Sequence, residues 1–200
     1  PAGIPFIVGT APVGMVDESN VNKPVLCYSY AEAVAAFGYV PPALDAASGK
    51  EKWHYDPELK TNESFQHVTC RGVSYHEAKA ETSSPEGMAD CPRRIILPVN
   101  DGRLIAINAE NGKLCETFAN KGVLNLQSNM PDTKPGLYEP TSPPIITDKT
   151  IVMAGSVTDN FSTRETSGVI RGFDVNTGEL LWAFDPGAKD PNAIPSDEHT

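Results

Sequence analysis

The 200-residue chain carries 16 Lys and Arg against 26 Asp and Glu, a formal net charge of -10. No basic stripe interrupts this acidity, which argues against a nucleic-acid partner, because phosphate binding needs clustered cations. The longest apolar runs, 4–8 and 95–99, fall far short of the roughly 20 residues that a membrane-spanning helix requires.

Pro1 opens into an apolar stretch with no charged leader before it, so no signal peptide is expected in this sequence. The chain is then either cytosolic or separated from its targeting segment. Ile4-Pro5-Phe6-Ile7-Val8-Gly9 reads as a short strand ended by glycine. A second apolar stretch occupies 22–28, and Ser29-Tyr30-Ala31-Glu32 has the spacing of a capping box. The Ala-rich run 31–37 favours a helix, with Gly38 placed to end it. Residues 1–42 thus form a small α/β segment, and Pro41-Pro42 marks a boundary.

From 43 to 200 the pattern is β. Residues 94–99 and 103–108 are apolar strands joined by Asn100-Asp101-Gly102, a strong hairpin signal. Residues 113–118 are expected to continue the meander. A second hairpin joins 144–147 to 150–154, and a third joins 168–174 to 179–184.

A short turn grammar occurs three times: Asp45 with Ser48-Gly49, Asn108 with Asn111-Gly112, and Asp174 with Thr177-Gly178. The Asx side chain caps the turn backbone, and glycine accepts the positive φ that other residues resist. Trp53 and Trp182 each stand four residues after the glycine; Glu116 holds that place in the second copy. The glycines are 63 and 66 residues apart, longer than the roughly 40–50 residues of a plain four-stranded propeller blade. The surplus falls in polar inserts at 77–92 and 120–143, and inserts on one face of a repeat fold commonly build a binding site. Four cysteines (Cys27, Cys70, Cys91, Cys115) lack metal-site spacing. They are either disulfide-bonded in an oxidising compartment or buried free thiols.

Residues 43–200 resemble the propeller domain of the membrane-bound PQQ-dependent glucose dehydrogenases. The likeness is carried by 62–75 (NESFQHVTCRGVSY), 91–104 (CPRRIILPVNDGRL), 138–147 (YEPTSPPIIT) and 157–174 (VTDNFSTRETSGVIRGFD). The repeated turn is similar to the tryptophan docking motif of that eight-bladed family. Glu116 then predicts one missing docking contact. The fold implied is mainly β: a partial eight-bladed propeller of about three blades behind the α/β segment. Residues 1–42 instead resemble the start of a contractile phage tail sheath protein, which implies a chimera joined near 41–43. Sheath-like self-assembly is expected only if that segment dominates.

What the resemblance implies about chemistry can be placed on individual residues. Arg71 matches an arginine that contacts a carboxylate of pyrroloquinoline quinone (PQQ), a role suited to a bidentate guanidinium. His67 matches a histidine packed by the quinone ring. Thr141 and Ser156 match hydroxyl residues that hydrogen-bond PQQ. Asp159 and Asn160 match the metal site, and their hard oxygens suit Mg²⁺ or Ca²⁺. The implied reaction is oxidation of D-glucose or another aldose at C1 to the lactone. PQQ would accept the hydride and ubiquinone the electrons downstream, at the periplasmic face of the inner membrane. No catalytic residue is expected within the chain, because the family's base aspartate would lie beyond Thr200. Asp197, Glu198 and His199 read as a polar tail. The isolated chain is expected to bind PQQ weakly and not to turn over glucose.

Overall fold

Asn108 and Asp174 begin two turns with matching bonds in the computed structural model, which describes residues 43–44, 49–59, 65, 71–79, 91–130, 136–157 and 166–192. The Asn108 side chain accepts from the Glu110 N–H at 2.9 Å, and that of Asp174 accepts from the N–H groups of Asn176 and Thr177, both at 2.8 Å. In each turn the glycine N–H returns to the Asx carbonyl at 2.9 Å. Gly112 and Gly178 share a φ of 73°, which a Cβ would strain. The chain divides into two units between Pro41 and Pro42, and every described residue belongs to the second. The expected strand at 4–9 and helix at 31–37 lie outside the described residues.

Twelve strands occur among the described residues. β1 (Ala43–Leu44) pairs with β2 (Glu51–Trp53). β3 (Ser74–Glu77), β4 (Arg93–Val99), β5 (Arg103–Asn108) and β6 (Val123–Asn125) form one antiparallel sheet in that order. β8 (Ile145–Ile146), β9 (Thr150–Met153), β11 (Ile170–Asp174) and β12 (Leu180–Phe184) form a second. β7 (Tyr138–Glu139) and β10 (Ser156–Val157) make a separate two-stranded ladder. No α-helix occurs among the described residues. The mainly β reading therefore holds, as do the hairpins at 99–103, 146–151 and 174–180.

One strand is not where the sequence put it. Residues 113–118 were expected to be the next strand but make a single bridge, Leu114 with Ile107. Cys115 and Phe118 turn inward instead and are fully buried. Positive φ at Ala119, Lys121 and Gly122 then reverses the chain. The fourth strand is consequently β6, within the stretch 120–143 that the sequence marked as an insert.

Both faces of the first sheet are covered, which explains the unbroken apolar run of β5. Ile96, Leu104 and Ala106 face the second sheet through a core shared with Phe118, Ile151, Met153 and Phe173. Ile105 and Ile107 face the other way, against Trp53, Tyr55 and Leu59. Trp53 lies across Gly112, where a Cβ would come within 2.9 Å of its ring, and its Nε1–H donates to the Ala109 carbonyl at 3.0 Å. At the corresponding Gly178 the contacts are Ala119 and Phe118, and the Ala119 N–H donates to the Thr177 carbonyl at 2.8 Å. Glu116 itself is exposed. The absent tryptophan is thus replaced by a backbone contact.

Two buried arginines join the sheets. Arg94, fully buried on β4, donates to the carbonyls of Val175 (2.8 Å), Asn176 (3.3 Å) and Cys91 (2.8 Å). Arg171 on β11 donates to the carbonyls of Leu126 and Ser128 at the end of the first sheet. A disulfide links Cys91 to Cys115, which resolves two of the four cysteines; Cys27 and Cys70 lie outside the described residues.

His76 on β3 is buried against the second sheet, its Nε2 3.3 Å from the Asp148 carbonyl oxygen. Burial lowers its pKa, with the Asp148 carbonyl opposing and the nearby Arg94 and Lys79 charges assisting. The unfolded chain therefore takes up this proton at a higher pH than the folded one. Stability is expected to be complete above about pH 6.5, the ordinary histidine value, and to fall as pH drops towards the folded pKa. Urea midpoints for the unsubstituted chain and His76→Gln between pH 7.5 and 5 test this. The variant should show the shallower slope, and parallel slopes would remove His76 as the cause.

Candidate functional site

The β7–β10 ladder pairs Ser156 with Glu139 and Val157 with Tyr138. Thr141 follows β7 by two residues, so both hydroxyl residues stand on adjoining segments, and each is half-buried. Two residues beyond Thr141, the Pro143 ring lies against Gly72, and the Ser74 hydroxyl donates to the Pro144 carbonyl. Arg71 immediately precedes Gly72. Three segments distant in sequence thereby bring Arg71, Thr141 and Ser156 to one region where the two sheets meet. Arg71 is exposed and has no ion pair among the described residues.

The remaining expected site residues, His67, Asp159 and Asn160, lie outside the described residues. Among the described residues no cluster of three His, Cys, Asp or Glu is arranged to hold a metal ion. The open groove along Arg103, Asn120 and Gln127 is lined by none of the expected site residues.

Sequence reasoning passed over the support beneath the site. Tyr138 is fully buried, and its ring lies so close to Gly155 that a Cβ there would sit 2.5 Å from Cε2 and Cζ. The Arg171 guanidinium carbon lies 5.9 Å from the Tyr138 ring centroid and 5.4 Å from that of Phe173, within cation–π range. Burial raises the Tyr138 pKa, with the Arg171 charge opposing; the phenol stays neutral at physiological pH. The signal available in sequence was an arginine at an inward strand position, alternating with Val169 and Phe173.

The family model for the PQQ glucose/ethanol/alcohol dehydrogenase beta-propeller domain matches residues 20–200. The chain belongs to this family. Its quinoprotein glucose dehydrogenase relative from Escherichia coli (strain K12) is 99% identical over 158 residues, 79% of this chain and 20% of that protein. Quinoprotein glucose dehydrogenase A of Acinetobacter calcoaceticus is 56% identical over 165 residues, 79% of this chain and 21% of that protein. Quinohemoprotein alcohol dehydrogenase from Comamonas testosteroni shares the fold, with a TM-score of 0.51 at 22% identity over 74% of this chain and 18% of that one. The chain spans about a fifth of the length of these relatives. In this PQQ dehydrogenase family the two four-stranded sheets are propeller blades, so the described residues form part of a propeller. The family match begins ahead of Pro41 and takes in 20–42, within the segment read from sequence as sheath-like.

Proposed function

We propose that the chain is a segment of a quinoprotein glucose dehydrogenase and supplies part of its PQQ pocket. The observation that carries this reading is the 99% identity over 158 residues to the Escherichia coli protein of that name. The substrate is D-glucose or a related aldose, oxidised at C1 to the lactone, with ubiquinone as the downstream acceptor. The catalytic base comes from outside this chain. The Cys91–Cys115 disulfide supports a location at the periplasmic face of the inner membrane, since such bonds persist in oxidising compartments.

The residue types suit this cofactor chemically. PQQ is a flat tricarboxylate ortho-quinone, and a guanidinium together with two hydroxyls makes a donor set for such an anion. Arg71 holds a carboxylate through paired N–H donors. Thr141 and Ser156 donate their hydroxyl protons, and their half-burial limits competition from water. His67 packs beside the ring, and Asp159 with Asn160 offers hard oxygens to Mg²⁺ or Ca²⁺. When bound, PQQ supplies the quinone that accepts a hydride; these residues bind and orient it.

Titration of PQQ into the full-length apoprotein tests the reading. Arg71→Ala is expected to raise the Kd by ~10- to 100-fold, the equivalent of losing charge-assisted hydrogen bonds worth about 1.5–3 kcal/mol. An unchanged Kd would remove Arg71 from the pocket.

A further inference from the structure

The two strands that bear the site are too short to hold themselves. β7 and β10 have two residues each, and such a ladder has marginal independent stability in water. Something else fixes where Thr141 and Ser156 stand. Tyr138, at the start of β7, is fully enclosed in the core with Ile151 and Phe173. Its ring is pressed on one side by Gly155, the residue immediately before Ser156. Arg171 lies over it, and Arg171 is in turn fixed by the Leu126 and Ser128 carbonyls and by Met130 Sδ at 3.2 Å. The ring therefore cannot retreat from Gly155 without disturbing the joint between the sheets.

We propose that Tyr138 and Gly155 are positioning residues for the quinone cofactor, the Tyr138 ring setting the height of the β10 backbone and hence of the Ser156 hydroxyl. The inference rests on the pocket reading above and adds residues that touch no cofactor themselves. A side chain at 155 would meet the ring below van der Waals distance and push the Ser156 segment outward. A donor displaced in this way loses its hydrogen bond to a rigid ligand even though the fold survives.

The test is PQQ titration of the full-length apoprotein by fluorescence quenching, with thermal melting read in parallel. Gly155→Ala is expected to raise the Kd about tenfold, the lower range for residues that orient ligating groups, with a melting temperature lowered by overpacking against the Tyr138 ring and a melt that stays cooperative. Val99→Ala, in the core on the far face of the first sheet, should lower the melting temperature and leave the Kd unchanged. Should Gly155→Ala fail to fold, Tyr138→Leu carries the test with the same expected rise. An unchanged Kd in Gly155→Ala, or in Tyr138→Leu where that stands in, overturns the positioning role if Thr141→Ala and Ser156→Ala weaken binding. If those two hydroxyl variants also bind normally, the pocket reading itself fails. An equal loss of affinity in Val99→Ala would assign the effect to general destabilisation and also overturn the proposal.

Discussion

Arg94→Met should lower the unfolding free energy by about 3 kcal/mol, because three buried carbonyls lose a charged donor and each orphaned acceptor costs roughly 1–3 kcal/mol. A compensating gain comes from no longer burying a charge, since replacing buried ionic groups with apolar ones is often neutral. The carbonyls decide the outcome. Those of Val175 and Asn176 belong to the third repeated turn, and that of Cys91 lies at the foot of β4. Methionine fills the volume and satisfies none of them. The loss should fall on the joint between the sheets, so amide exchange at 174–178 should accelerate more than exchange within β4 and β5. Urea denaturation gives the total. A loss below about 0.5 kcal/mol, the range of an inert surface substitution, would show that the guanidinium adds nothing net.

Removing the disulfide should have an effect of similar size by a different route. Cys91 and Cys115 are 24 residues apart, and opening a loop of that length costs about 3 kcal/mol through the entropy of the unfolded chain. Both residues are fully buried in the core that joins the sheets. Cys91→Ala, Cys115→Ala and the double variant should therefore lose nearly equal stability, since either substitution alone breaks the bond. Reductant should leave all three unaffected while lowering the midpoint of the unsubstituted protein to their level. A midpoint insensitive to reductant would mean that the bond does not contribute.

The turn grammar was legible because it is local chemistry: an Asx cap and a glycine in the left-handed region need no distant partner. The hairpin at 174–180 followed from it, those at 99–103 and 146–151 followed from their own turn residues, and the tryptophan contact on Gly112 followed from the family resemblance. Arg71, Thr141 and Ser156 were recognisable as candidates through the resemblance of the segments that carry them. Their convergence was not legible, because it depends on Gly72 meeting Pro143 and on the pairing of β7 with β10. Residues 113–118 misled for a related reason. A stretch that follows a hairpin strand and a tight turn reads as the next strand until the burial of Cys115 and Phe118 draws it into the core.

By itself the sequence determined that this is a β repeat protein, where its chain reversals fall, and which residue types could meet an anionic quinone. Only the tertiary structure decided how the sheets are fastened and what lies under the site. Turn formation is settled within a handful of residues. The reach of a buried arginine or the resting place of a tyrosine ring depends on surfaces that exist only once distant strands have packed.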